Sequence, residues 1–474
     1  MADRWDAIVV GSGPNGLAAA IALAQEGRSV LVLEAAEEIG GGLRSAELTL
    51  PGFRHDVCSA IHPLALASPF LRRLPLQEHG LAFAQPEIPL AHPLDDGTAV
   101  ALHRSVDETA EGLGDDGDAY RALLQPLLDD WDVLLEDLLG PLRIPRHART
   151  DLRFARAGLR SARGLARARF TGARARALLA GNAAHSMRPL TAPATAGFGL
   201  ALMMLGHAVG WPVAAGGSQA IADAMASLVR SLGGEIETGR EVRSLADVRG
   251  VRAVLFDLTP RQITAIAGEE LPRRYRRALE RFRYGPAAFK LDYALAGPVP
   301  WTAPECRRAG TVHLGGSLEE IEYAEAEVAR GRHAARPSVL VAQQSLFDPV
   351  RAPDGAHTLW AYCHVPNGSR LDAREAIEAQ IERFAPGFRG LVRACSVLGP
   401  ADLEARNAND VGGDINGGAA DLRQLFARPV ARPVPYTTPN PRLFVCSSST
   451  PPGGGVHGMC GWHAAQAALR GALR

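Results

Sequence analysis

Ile8-Val9-Val10-Gly11-Ser12-Gly13-Pro14-Asn15-Gly16, followed by a helical run and then by Val30-Leu31-Val32-Leu33-Glu34, decides the fold of this chain. An apolar strand enters a G-x-G-x-x-G turn, a helix follows, and a second apolar strand ends on an acid. Gly11 permits the tight turn, Gly13 lets the backbone approach a pyrophosphate, and Gly16 lets the helix pack closely on the strand. The helix N-terminus offers unpaired N–H groups and a partial positive charge to phosphates. Glu34 is placed to accept hydrogen bonds from ribose hydroxyls. Glycine-rich turns are common in a chain with 50 Gly, but here strand, helix, second strand and terminal acid agree. The stretch predicts a dinucleotide-binding α/β unit.

Working outward, Gly40-Gly41-Gly42-Leu43-Arg44-Ser45 supplies a second glycine run just after the acid. Arg44 can offer a planar cation to phosphate there, or sit as a solvated loop arginine. A third run, Thr450-Pro451-Pro452-Gly453-Gly454-Gly455-Val456-His457-Gly458, also lies between a strand, Arg442 to Cys446, and a helix, His463 to Leu473. No second ribose acid follows it, so it is not a separate nicotinamide site. Backbone N–H groups at the start of that helix suit an electron-rich ring edge.

The chain has 474 residues, 47% hydrophobic and 22% charged, which fits a two-domain globular protein with a substantial core. Formal net charge is zero, which argues against bulk attraction to nucleic acid. Lys290 is the only lysine, so the other 50 of the 51 basic residues are Arg. The six cysteines show no C-x-x-C pairing and no His-Cys metal spacing, and read as reduced thiols rather than disulfides or metal ligands. Neither a signal peptide nor a bilayer-spanning apolar run is visible, and a cytoplasmic location is expected.

Residues 115 to 187 read as helical, with Asp118 to Leu139 amphipathic and a break at Pro141 and Pro145. Arg149, Arg153, Arg156, Arg160, Arg163, Arg167 and Arg174 then recur at helical steps, predicting one basic amphipathic helix over 149–176 with Leu152 and Leu159 beside the stripe. It serves either as a solvated face or as a surface for anionic membrane headgroups. Further on, a helix to Leu232 leads to a strand carrying Val242, and a short strand covers Val251 to Asp257. Residues 287–295, 311–314, 338–346 and 357–364 suggest an antiparallel sheet in a second domain.

These pieces resemble the phytoene dehydrogenase-related flavoproteins, the branch containing the vertebrate pyridine nucleotide-disulfide oxidoreductase domain 2 proteins, with carotenoid desaturases and amine oxidases as more distant kin. The likeness covers residues 6–64, 211–301 and Asn407 to the last residue, and is most specific in Pro51-Gly52-Phe53-Arg54-His55-Asp56, Gly412-Gly413-Asp414-Ile415 and Pro452 to Val456. It implies an α/β fold with a Rossmann-type FAD-binding domain from 1–75, 211–285 and 436–474. A discontinuous α+β substrate domain, with an antiparallel sheet, would take 76–210 and 286–435. The implied FAD contacts are Gly11, Gly13, Pro14, Asn15, Gly16, Glu34, Ala35, Gly41, Gly42, Leu43, Arg44, Val242, Gly454, Gly455, Val456 and Met459, with no metal. The chain departs from the family at Gly458-Met459-Cys460-Gly461-Trp462-His463, where Gly-Ala-Pro-Gly-Arg-Asn is usual, and Arg243 to Gly250 is a shortened remnant of a strand-loop-strand.

Two residues are candidates for chemistry. Lys290, in Gly285-Pro286-Ala287-Ala288-Phe289-Lys290-Leu291-Asp292-Tyr293, resembles the amine oxidase lysine that holds a water at flavin N5; otherwise it is a sheet-edge lysine. His457 is either an acid–base residue or a backbone-bonded loop histidine. The reading that follows is an FAD-dependent oxidoreductase that forms C=C or C=N in a largely apolar small molecule such as an isoprenoid, lipid or amine, with oxygen or a quinone reoxidising the flavin. The alternatives are a redox-neutral isomerase or saturase on the same scaffold, or a non-catalytic FAD-stabilised binding protein.

Overall fold

The computed structural model describes residues 4–143 and 146–474, so the expected break at Pro145 lies outside the described residues. Two sheets organise the chain. The first runs, in spatial order, Leu443–Val445, Ala253–Phe256, Ala7–Val10, Val30–Leu33 and Glu235–Glu237, all parallel. A parallel sheet is covered on both faces, which is why its strands are nearly continuous apolar runs. Alternation divides them: Val9, Val32 and Leu255 pack with the Pro14–Gln25, Gln219–Ser231 and Met459–Arg470 helices, whereas Ile8, Val10, Leu31 and Phe256 pack against the Pro260–Ala267 and Arg273–Glu280 helices. Each such fully buried side chain contributes about 1.5–3 kcal/mol relative to exposure. One edge strand, Leu443–Val445, comes from the far end of the sequence.

The second sheet has the order Val392–Leu398, Ala287–Leu295, His357–Val365, Val339–Ala342, Ala309–Leu314, Ile88–Pro93, Ala99–Leu102, and is antiparallel except where Ala309–Leu314 meets Ile88–Pro93. One face carries Phe289, Leu291, Tyr293, Val312, Val341 and Leu359, packed with Ile377 and Ile381 of the Arg374–Phe384 helix. The opposite face carries Ala288, Lys290, Asp292, Leu340, Trp360 and Tyr362. It meets the nucleotide-type half of the molecule, and the site lies between them.

Several elements differ from expectation. The strand after Gly234 ends at Glu237 and does not carry Val242; Gly239 takes φ +65 and turns the chain, with Gly239 N–H bonded to Ala36 O (2.9 Å) and Arg240 N–H to Glu34 O (2.8 Å). The last helix starts earlier, at Met459. The continuous basic helix is three helices, Ala148–Gly158, Ala162–Arg169 and Ala173–Ala184. Ser161 caps the second by accepting from Gly164 N–H, and Asp116 accepts from Thr171 and Gly172 N–H (2.8 and 2.7 Å), stopping it before the third. The stripe is thereby split. Arg163 pairs with Glu322 (3.0 Å), Arg167 with Glu319 (3.3 Å), and Arg174 donates to Ala99 O (2.6 Å). Among the described residues no helix is long and apolar enough to cross a membrane.

Candidate functional site

A cavity of about 600 Å³ runs between the two halves. At one end it is lined by Gly11, Gly13, Pro14, Asn15, Glu34, Ala35, Gly41, Gly42, Arg44 and Val242, and nearer the second sheet by Gly455 and Val456. The two N-terminal glycine runs touch: Gly40 N–H donates to Ser12 O (3.1 Å), and a Cβ on Gly41 would lie 3.3 Å from Gly13 Cα. Of the other expected contacts, Gly16, Leu43, Gly454 and Met459 do not line the cavity. Gly16 packs under the loop, where a Cβ would meet Gly11 O at 2.1 Å; Leu43 is buried beneath the second run; Gly454 abuts Asn416. Met459 N–H is taken by His457 Nδ1 (3.0 Å).

That bond bears on the two readings of His457. Its Nδ1 accepts from Met459 N–H, so Nε2 carries the proton and donates to Gly453 O (3.2 Å). Both ring nitrogens are committed to backbone, and burial lowers the imidazole to about 4. His457 ties the last glycine run to its helix, the backbone-bonded arrangement that was the other expectation for it.

Lys290 also departs from expectation. It is no sheet-edge residue, being 2% exposed on a central strand, yet it does not line the cavity. Its ammonium pairs with Asp292 two residues along the same face and sits 5.8 Å from the Trp360 ring. Burial pushes Asp292 up to about 6 against the pull of Lys290, and His55 Nδ1 approaches the other carboxylate oxygen at 3.6 Å.

Glu34 lines the cavity and is anchored. Oε2 accepts from Ser12 N–H (2.9 Å) and Ser12 Oγ (2.6 Å), and Oε1 from Ala36 N–H (3.0 Å) and more weakly from Arg44 (3.4 Å). Arg44 donates in addition to Glu38 O and Arg406 O (3.2 and 2.9 Å), so a phosphate there competes with protein acceptors. Asp257, at the end of the neighbouring strand, was not foreseen. Its Oδ2 accepts from Gly16 N–H (2.8 Å), and a Cβ on Gly13 would stand 2.6 Å from the same oxygen. Burial, reinforced by Glu34, pushes this carboxyl up to about 7 although the Gly16 bond opposes it.

The other end is lined by Ile61, His185, Trp211, Thr311, Leu340, Trp360 and Tyr362. Trp360 and Tyr362 meet edge to face at 5.0 Å, and Trp211 meets His185 likewise at 5.7 Å. Thr311 Oγ1 and Trp360 Nε1 are buried without a hydrogen-bond partner among the described residues. None of these residues stood out in the sequence; the one available signal was the period-2 alternation of Trp360, Tyr362 and His364 along a strand. The Pro51–Asp56 motif has a different task. Asp56 accepts from Ser218 N–H (2.7 Å), Ser45 Oγ (2.8 Å) and Arg351 (2.9 Å), joining three segments around the cavity. Burial alone would raise this carboxyl, but Arg351 and its other donors hold it below its usual value.

The residues present suit a dinucleotide: closely apposed glycine runs leave no Cβ in the way, and the Glu34 carboxylate stands at one end, where it could accept from a ribose. Residues 9–74 match the NAD(P)-binding Rossmann-like domain. Over 98% of the chain, and 94% of the relative, the sequence is 28% identical to pyridine nucleotide-disulfide oxidoreductase domain-containing protein 2 of Rattus norvegicus. The chain is its homologue. A phytoene desaturase (neurosporene-forming) of Rhodobacter capsulatus is 26% identical over 52% of the chain and 51% of its own length. Among solved structures, an oxidoreductase from Methanosarcina mazei superposes with TM-score 0.66 at 15% identity, covering 98% of this chain and 99% of that one. Cyclohexylamine oxidase from Brevibacterium oxydans gives 0.57 at 14% identity over 99% and 98%. The fold is that of the amine oxidases, and the resemblance read from the motifs extends over the whole chain.

Proposed function

We propose that this protein is an FAD-dependent oxidoreductase that dehydrogenates a largely apolar small molecule, forming C=C or C=N. One observation carries the reading: a single cavity joins two glycine runs and Glu34 to an end lined by Trp360 and Tyr362 of the second sheet together with Trp211 and His185. Gly13, Gly41 and Gly42 would admit the diphosphate, Glu34 the ribose, and Gly455 and Val456 the ring system. FAD, once bound, supplies the two-electron oxidant. The apolar lining from Leu340, Trp360 and Tyr362 would exclude water and hold the substrate against it, and oxygen or a quinone would reoxidise the flavin. The names of the relatives, a desaturase and an amine oxidase among them, support the same chemistry. Six cysteines, all free thiols, suit a reducing cytoplasm.

The purified protein should be yellow and release FAD on denaturation, and Gly13→Val, which thrusts a side chain at Asp257, should be colourless. Anaerobic addition of phytoene in detergent, limonene or cyclohexylamine should bleach the flavin with at least one of the three. A protein that takes up no FAD defeats the proposal. One that binds FAD but is bleached by none of them favours the non-catalytic binding protein.

A peripheral membrane contact is a second proposal, carried by the Ala148–Gly158 helix and the turn after it. Arg149, Leu152, Arg153, Arg156, Leu159 and Arg160 are all exposed there, the leucines at 54% and 53%. Apolar side chains between cations suit an anionic lipid surface.

A further inference from the structure

His185, just past the end of the Ala173–Ala184 helix, lines the aromatic end of the cavity, and a buried histidine stands behind it. His185 Nε2 meets His313 Nε2 at 3.0 Å. The far side of His313 is sealed: a Cβ on Gly181 would come within 3.0 Å of its Nδ1. That atom is buried without a hydrogen-bond partner among the described residues, and the neighbouring His92 Nδ1 is likewise unpaired. Among those residues no group of three or more His, Cys, Asp or Glu is arranged to hold a metal ion.

Hydrogen-bond direction then fixes what His185 shows to the cavity. Burial, helped by His364, lowers His185 to about 3, and burial holds His313 well below its usual value, so both rings are neutral and each carries one N–H. Were the shared proton on His185 Nε2, the His313 proton would sit on Nδ1 as a buried N–H with no acceptor. With the proton on His313 Nε2, that N–H donates to His185 and none is orphaned. His185 therefore carries its own proton on Nδ1. That atom has no hydrogen-bond partner among the described residues and, unlike His313 Nδ1, is not sealed from solvent, so it opens on the cavity its ring lines. The other polar groups here are also short of acceptors. Trp360 Nε1, which only donates, and Thr311 Oγ1 are buried without partners, on residues that flank Ala342 across one sheet face. None of the residues lining this end is an acid, and the Lys290 ammonium stands 5.8 Å from the Trp360 ring. A protonated amine would find no counterion.

We infer that the substrate carries a carbonyl group and that His185 Nδ1–H donates a hydrogen bond to its oxygen. The inference rests on the function proposed above and narrows its substrate class to apolar ketones and related carbonyl compounds. A carbonyl oxygen only accepts, and so fits an end where donors are in surplus. A hydrocarbon in its place leaves the N–H unpaired, and an ammonium brings more protons and an uncompensated charge. His185 is a specificity-determining residue in this scheme, and His313, which fixes its tautomer, is a positioning residue.

Two measurements on the FAD-loaded protein test it. ¹⁵N-histidine spectra, assigned by single His→Gln variants, should show His185 protonated at Nδ1 and His313 at Nε2, and saturating cyclohexanone should shift the His185 Nδ1 signal. The opposite tautomers, or no shift, overturn the inference. In titrations followed by the flavin absorption spectrum, cyclohexanone should bind about 10-fold tighter than methylenecyclohexane, its hydrocarbon counterpart, or cyclohexylamine. His185→Phe, which cannot donate, should abolish that preference while methylenecyclohexane binds as before. Cyclohexanone binding no tighter than the other two, or a preference kept in His185→Phe, overturns the inference and leaves the oxidoreductase reading intact. The tautomers and the shift are read in the wild-type protein, so they decide should His185→Phe fail to fold. A ketone preference without flavin reduction by any substrate probe defeats the oxidoreductase reading instead, and the ligand class assigned to His185 stands.

Discussion

The two ends of the cavity are made differently. The glycine end is backbone: Gly11, Gly13, Gly41 and Gly42 shape it by lacking side chains, and its few polar groups are tied to the loop that presents them. The sheet end is side chain: His185, Trp211, Thr311, Trp360 and Tyr362 come from four separate segments of the chain and meet only once the second sheet and the helical segment have folded. A site of backbone can accept one shape of ligand part and tolerates little change. A site of side chains can be rebuilt residue by residue, which is how one fold comes to serve many substrates.

The largest test of this contrast concerns Lys290. If it is a buried structural partner of Asp292, Lys290→Met strands a carboxylate beside His55 and should lower stability by about 3–5 kcal/mol, read by chemical denaturation. Lys290→Met combined with Asp292→Leu should regain most of the loss. A single variant as stable as the wild type, but slow in flavin reoxidation, would move Lys290 from scaffold to chemistry.

A smaller effect probes the glycine end. Asp257 has a folded pKa near 7 against an unfolded value near 4, so the stability it gives is complete below about pH 4 and lost as pH rises through 7. Over the same upper range its growing negative charge faces the proposed diphosphate. FAD retention should therefore weaken several-fold from about pH 6 to about pH 8, and Asp257→Asn should flatten the curve. A wild-type curve already flat would show that the carboxyl does not sense the nucleotide.

The smallest concerns a region outside both ends. Arg149, Arg153 and Arg156 changed together to Glu should reduce cosedimentation with anionic liposomes and leave FAD content unchanged, and added salt should weaken wild-type binding. Equal sedimentation of variant and wild type would leave these arginines as a solvated face.

Legibility in the sequence follows the same division. The Rossmann-type half was readable because its determinants are local: Gly11 to Gly16 and Glu34 fall within one strand-helix-strand. The basic helix was misread because its stops, Ser161 and the Asp116 carboxylate reaching across to Thr171 and Gly172, are a capping residue among many serines and a contact over more than fifty residues. Lys290 was found by its rarity, but pairing with Asp292 two residues away is a property of strand alternation that composition does not express. His185 and His313 lie on a helix end and a strand far apart, and nothing local marks either one.

The edge strand Leu443–Val445 and the Met459–Arg470 helix complete the nucleotide half from the opposite end of the chain, where Gly461 lies so close to Asn15 that a Cβ would stand 1.8 Å from its carbonyl oxygen. During synthesis the first strand and its glycine turn must therefore wait, with one flank bare, until residues 443–470 have emerged. All seven strands of the second sheet, by contrast, precede residue 443 and can pair first. The segment made before the rest of this sheet is then the last to be enclosed, and ligand capture becomes a report that residues 443–470 have arrived.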